Sequence, residues 1–169
     1  MSAIKKIYQA LPESIRDTAL VRTFGLFKVP LLFWISPTVV ELSSKRCEVK
    51  VPLNRKTKNH LKSMYFGVLA AGADCAGGLA AMKLIIESGE NISLAFKDFK
   101  AEFHQRAEAD THFICTQGSE IKEFVDMVVA SGERHHMPVE IVAICPSISN
   151  EPVASFSLTL SLKNKTKKS

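Results

Sequence analysis

The chain holds only four cysteines, Cys47, Cys75, Cys115 and Cys145, and no two stand at CxxC spacing or beside a histidine at ligand spacing. That pattern excludes a cysteine-built structural zinc site and a disulfide-stapled scaffold, and reduced thiols in the cytoplasm are expected. No apolar run opens the sequence. MSAIKKIYQALPESIRD is polar and interrupted by Pro12, so a secretory signal is not expected. There is no internal repeat and no GxSxG elbow of the kind that presents a serine nucleophile. His135-His136 lacks an acidic or cysteine companion at ligand spacing, so no metal is expected. A clean membrane-spanning run is also missing. Phe24–Ile35 is short and broken by Lys28 and Pro30, while Met64–Ile86 carries Asp74 near its middle and Lys83 near its end. Charge at mid-membrane is costly. Neither segment is read as a span, and membrane contact is not expected.

What is present suits one soluble globular domain. The 169 residues are 46% hydrophobic and 23% charged, enough for a core without staples. The net charge of +5 is uneven, gathering in Arg55, Lys56, Lys58 and Lys62 and in Lys163, Lys165, Lys167 and Lys168. The second group reads as a solvated end, and no nucleic acid is implied. Three parts follow: a helical lead-in over 1–38, a main domain over 39–162 and a basic flexible tail over 163–169. Within them, Pro12–Phe27 predicts an amphipathic helix with Ile15, Ala19, Leu20, Phe24 and Phe27 near one face. Val29–Pro37 is an apolar lead-in. Val39–Leu53 predicts one strand, and Asn54–Ser63 a basic loop. Met64–Glu87, rich in alanine and glycine and stopped at Ser88-Gly89, predicts a buried helix. Strands are expected over Ile92–Gln105, Asp110–Thr116, Met137–Cys145 and Val153–Leu162, with a helix over Glu120–Ala130 capped by Ser119. Successive late strands favour an antiparallel sheet, hence an α+β fold with one long helix.

Asp74 is the leading catalytic candidate. It is the one charged residue from Met64 to Met82, and its neighbours one turn away are Ala70, Ala71, Gly77 and Gly78. An unpaired carboxylate in apolar surroundings costs on the order of several kcal/mol, or raises its pKa until it is protonated. Such a residue persists where a ligand or another chain element meets it. The alternative is a structural acid that caps a loop or pairs with Lys62 or Lys83.

The run Asn59-His60-Leu61-Lys62-Ser63-Met64-Tyr65-Phe66-Gly67-Val68-Leu69, followed by Ala73-Asp74, resembles the signature of the hotdog-fold acyl-CoA thioesterases. The likeness is closest to the branch related to the phenylacetate-pathway enzymes, of PaaI-like and DUF4442 type. Asn59, Met64, Gly67, Leu69 and Asp74 fall in register with that signature, and the likeness extends over roughly Val39–Leu162. It implies a hotdog fold, an antiparallel sheet wrapped around a long central helix, here with an extra N-terminal helix and an inserted helix. It implies a homodimer, or a dimer of dimers, that hydrolyses an acyl-CoA or acyl-carrier-protein thioester without a cofactor, coenzyme A being part of the substrate. The implied roles are Asp74 as base or nucleophile, the backbone amides of Phe66 and Gly67 as the oxyanion site, Asn59 as an orienting group and Ser93 as a holder of water. Met64, Tyr65, Arg55, Lys58 and Lys62 would meet the substrate. One departure stands out: the family's His-Gly-Gly reads Tyr65-Phe66-Gly67 here. Backbone amides survive a side-chain change, yet a non-catalytic acyl-thioester-binding protein is the alternative that this turn favours. Dehydratases of this fold carry a catalytic histidine, and none stands at the matching place. His60 is read as a surface residue.

Overall fold

The structure, a computed structural model, describes residues 13–166. Expectations for residues 1–12 and 167–169 lie outside the described residues. The first helix, α1 (Glu13–Lys28), leads into a short α2 (Pro30–Trp34). Then come β1 (Thr38–Leu42), β2 (Cys47–Val51), the long α3 (Phe66–Ser88), β3 (Ile92–Phe103), β4 (Thr111–Cys115), α4 (Gly118–Ala130), β5 (Arg134–Cys145) and β6 (Ser149–Asn164). The six strands form one sheet in the order β1-β2-β4-β5-β6-β3, with every pairing antiparallel. α3 packs against β2, β4, β5, β6 and β3. An antiparallel sheet around one long helix is the expected hotdog fold, of α+β class.

Period-two burial builds the sheet side of the core. Val139, Ile141, Ala143 and Cys145 point inward from β5, and Phe156, Leu158, Leu160 and Leu162 from β6. Each buried large side chain contributes roughly 1.5–3 kcal/mol. On the helix side small residues set the distance. A Cβ on Gly72 would lie 2.3 Å from Cε2 of Phe113, a ring with no exposure. α3 ends as its sequence predicts, with Gly89 in the left-handed region at φ 71°. β3 shows why its alternation changes parity: the register with β6 shifts between Phe96 and Phe99, so inward positions pass from Leu94 and Phe96 to Phe99 and Ala101.

Several local expectations need correction. The single strand over Val39–Leu53 is a hairpin, because the Ser43 hydroxyl accepts from the amides of Lys45 (3.4 Å) and Arg46 (3.1 Å) and turns the chain. Ser119 does not cap α4. The N-cap is Gln117, and Ser119 Oγ donates to the Ser44 carbonyl at 3.5 Å. β6 runs to Asn164, so Lys163, expected in the tail, pairs with Ser93. The buried face of α1 is Asp17, Val21 and Gly25, while Ile15, Phe24 and Phe27 are exposed. The reason is the crossing of α2 at Gly25, where a Cβ would lie 2.6 Å from the Phe33 nitrogen. α1 is tied to β1 by Arg22 Nε donating to the Pro37 carbonyl (2.9 Å) and the Val39 amide donating to Thr18 Oγ1 (3.0 Å).

Candidate functional site

The loop before α3 is built from its own side chains. Thr57, fully buried, donates from Oγ1 to the Pro52 carbonyl (2.6 Å) and accepts from the Asn54 amide (2.8 Å). The Tyr65 amide donates to the Thr57 carbonyl and the Met64 amide to the Ala107 carbonyl, both at 2.8 Å. Asn59 Oδ1 accepts from the amides of Leu61 (2.9 Å) and Ser63 (3.3 Å), while its Nδ2 donates to Ser63 Oγ (3.1 Å). The carboxamide of Asn59, expected as an orienting group, bonds within its own turn. These bonds deliver the chain to Tyr65, the N-cap of α3, which makes no side-chain cap. The next two amides, those of Phe66 and Gly67, meet no acceptor among the described residues. They are donors at the positive end of the helix dipole. The Tyr65 ring lies over Gly67, where a Cβ would approach its Cε1 to 2.7 Å. Phe66 is exposed, with its ring centroid 4.8 Å from that of Tyr65. A cavity of about 290 Å³ opens here, bordered by Asn59, Met64, Tyr65, Phe66 and, from the end of β3, Phe103.

A second cavity, about 250 Å³, holds Asp74. Its walls are otherwise apolar: Leu79 and Met82 of α3, Leu94 and Phe96 of β3, and Phe24 of α1. Asp74 forms no hydrogen bond or ion pair to any described residue. Burial raises its pKa above the ordinary carboxyl range. Neither cation proposed as a structural partner meets it. Lys83 Nζ lies 3.2 Å from Asp17 Oδ1, and Lys62 is exposed in the loop with φ 65°. Cys75 lines the same cavity, and burial, then the neighbouring Asp74 charge, pushes its thiol pKa up. It is thus no thiolate nucleophile.

The two cavities open at different levels of α3. Asp74 stands two turns beyond Phe66, about 12 Å along the axis at the α-helical rise. Ser93 joins neither. Ile92 and Leu94 line the Asp74 cavity, so the alternation of β3 turns Ser93 to the other face, where its hydroxyl donates to the Lys163 carbonyl at 3.4 Å. Arg55, Lys58 and Lys62 are exposed on the loop, and Met64 is buried at its end. Sequence reasoning missed the cavity walls. Gly78, Met82 and Ile85 follow Asp74 at helical spacing and were open to it, whereas Val21, Phe24 and Leu32 arrive from elements far away in sequence. Among the described residues no cluster of three or more His, Cys, Asp or Glu gathers to hold a metal.

The family model described as "Domain of unknown function (DUF4442)" matches residues 17–161, most of the chain. The chain belongs to the DUF4442 family. No curated protein matches its sequence at a significant level. Solved structures resemble it in fold. A protein of unknown function from Chlorobaculum tepidum superposes with a TM-score of 0.76 at 12% identity, covering 90% of this chain and 97% of its own. A thioesterase from Haemophilus influenzae gives 0.65 at 17% identity, over 88% of this chain and 90% of its own. A thioesterase family protein from Silicibacter pomeroyi gives 0.64 at 19% identity, over 88% and 98% respectively. At these identities the likeness establishes the hotdog fold of this DUF4442 chain and leaves its chemistry to the site.

Proposed function

We propose that the chain hydrolyses an acyl-CoA or acyl-carrier-protein thioester in the cytoplasm, at a site completed by a second copy of itself. The observation that carries the reading is the division of one helix into two incomplete half-sites. Free amides stand at its N-terminus, and an unpartnered carboxylate lies in an apolar cavity two turns on. Neither half can serve the other within one protomer, because about 12 Å is too far for one reacting carbonyl. The edge strand β3 supplies the complement. It is 12 residues long and, among the described residues, pairs on one side only, with β6. Open edges of that length invite a partner. Two β3 strands meeting antiparallel across a two-fold axis set the start of one, beside Asp74, against the end of the other, beside Phe103 and the free amides.

In that arrangement the thioester carbonyl oxygen takes hydrogen bonds from the amides of Phe66 and Gly67. The carboxylate of Asp74 from the other copy removes a proton as water adds to the carbonyl carbon. The tetrahedral oxyanion collapses, the C–S bond breaks, and the thiolate leaves and takes up a proton. A carboxylic acid and a free thiol result. A thiolate is a good leaving group, so a base and an oxyanion site suffice. The raised pKa of Asp74 makes it a stronger base once ionised. Arg55, Lys58 and Lys62, exposed on the loop before α3, would meet the phosphates of coenzyme A or an acidic carrier. Binding without turnover is the second reading. The cover of the Tyr65 ring over Gly67 favours it, since the ring narrows the approach to the oxyanion amides.

Release of free thiol from acyl-CoAs of graded chain length, followed with a thiol-reactive dye, tests the proposal. Turnover that falls by roughly 10²–10⁴ in both Asp74→Ala and Asp74→Asn supports it. Turnover indifferent to both changes removes Asp74 from the reaction.

A further inference from the structure

The α1–α2 hairpin carries a surface that the hydrolase reading does not use. Between Asp17 and Glu41 the chain has no acidic residue. Over the same stretch it exposes Leu26 (49%), Phe27 (75%), Leu31 (54%), Phe33 (46%) and Trp34 (56%). They lie on two consecutive helices, α1 and α2, which meet closely at Gly25. Cations rim them: Lys28 is exposed at the end of α1, and Lys56 from the loop holds its Nζ 4.7 Å above the Trp34 ring. Large aromatic and aliphatic side chains bordered by lysines, with tryptophan among the basic groups, form the pattern of a segment lying in the headgroup plane of a membrane.

We propose that this hairpin docks on an anionic lipid surface. Charge selects the occupant. A second copy seated here by two-fold symmetry would bring the lysines of both copies into one interface to which the stretch between Asp17 and Glu41 offers no acidic residue, whereas anionic headgroups neutralise Lys28 and Lys56. The sequence excludes a span in this segment, and docking in the interfacial plane requires none. The hairpin also joins the surface to the interior. Phe24, 38% exposed, forms part of the wall of the Asp74 cavity together with Val21 and Leu32. A docked hairpin would thus hold the apolar cavity beside the acyl region of the lipid. The docking stands whether or not the chain hydrolyses thioesters.

Trp34 is the chain's single tryptophan, so its fluorescence reads the contact directly. The full chain is titrated with vesicles of phosphatidylcholine alone and of phosphatidylcholine with phosphatidylglycerol, at low and high salt. The expected result is a blue shift of Trp34 emission and co-sedimentation with the anionic vesicles, both weakened by salt. Phe27→Ser with Leu31→Ser, which keeps the reporter and spares the cavity, should lower partitioning roughly a hundredfold. Lys28→Glu should lower it roughly fivefold or more on anionic vesicles. Melting curves of both variants should match the parent, since the three residues are exposed. Emission unmoved by every vesicle overturns the proposal. So does a response as strong on neutral as on anionic vesicles. A light-scattering mass that drops in the double variant would instead assign the face to a second copy. A shift produced by an acidic carrier protein, with vesicles inert, would assign it to a protein partner. Either result overturns lipid docking.

Discussion

Replacing Asp74 by asparagine should stabilise the protein at neutral pH while removing the proposed thioester turnover. The carboxylate lies among apolar walls without a partner, and burial raises its pKa. The folded state therefore holds the proton more tightly than the unfolded chain. As pH climbs from the ordinary carboxyl value, about 3.9, through the raised one, the unfolded chain has released a proton that the folded chain still keeps. Stability falls across that window, and above the raised value the deficit is complete. Asparagine abolishes the charge but keeps a polar group in the cavity. The gain therefore lies near the low end of the roughly 1–3 kcal/mol assigned to an unsatisfied buried polar group. A gain of about 1 kcal/mol corresponds to a Tm higher by about 2–4 °C in a domain of this size. The advantage should largely disappear near pH 3.5, where both states of the parent are mostly protonated. Thermal and urea unfolding of both proteins at pH 3.5 and 7.5, beside thiol-release assays, measure the two effects. A variant less stable than the parent at pH 7.5 would mean that a cation pairs with Asp74, and a difference indifferent to pH would mean that folding leaves its proton affinity unchanged. The unpaired-base reasoning would then fail.

Gly72→Ala should lower stability by about 1–3 kcal/mol, because its Cβ meets the Phe113 ring at 2.3 Å and that ring is fully enclosed; the urea midpoint should drop with an unchanged slope. Thr57→Val strands the Pro52 carbonyl and the Asn54 amide. It should cost about 1–3 kcal/mol and, by loosening the approach to α3, reduce turnover more than the stability loss explains at assay temperature. Glu48 has a pH signature opposite to that of Asp74. Burial resists its ionisation, but hydrogen bonds from His112 and Arg46, each 2.6 Å, outweigh burial and hold its pKa below the ordinary value. Its contribution is thus present above the unfolded carboxyl pKa and lost as pH falls through the folded one. Glu48→Gln should cost about 1–2 kcal/mol at pH 7 and flatten the acid limb of a stability profile taken from pH 7 to 3.

Local chemistry was legible in the sequence, and long-range chemistry was not. The limits of α3 follow from a run of small residues and from Ser88-Gly89, so expectation and structure differ there by two residues or fewer. The β1–β2 turn was hidden because a serine hydroxyl, rather than glycine or proline, bends the chain at Ser43. The face of α1 was misread because Gly25 adds nothing to a hydropathy pattern, yet its bare backbone is where α2 crosses. Asp74 could be singled out as a solitary charge among alanines and glycines. That Phe24, fifty residues upstream, walls its cavity depends on tertiary packing, which no spacing encodes. Ser93 was placed by resemblance across an inserted residue, and the parity of β3 turns it away from the cavity.

The edge strand offers the sharpest test of the shared site. Phe99 stands opposite Leu158 of β6, and its ring centroid is 5.7 Å from that of the buried Phe156. It therefore points to the core side of the sheet, since residues directly opposite on paired strands share a face. Yet Phe99, on the edge strand, remains 45% exposed. A large aromatic on the inner face of an uncovered edge is what a second copy would bury. Phe99→Asp gives up the contact with Phe156 within one protomer and puts a carboxylate on the joining edge of each copy, a like-charge arrangement that opposes association. The expected product is a folded chain of monomer mass, 18.6 kDa, by light scattering, with thioester turnover lost although Asp74 and the amides of Phe66 and Gly67 are intact. Activity restored at protein concentrations that re-form the dimer would tie turnover to association. A monodisperse monomer that hydrolyses as fast as the parent would show that one protomer brings carboxylate and oxyanion amides together by itself, and would refute the two-turn separation as the reason for sharing.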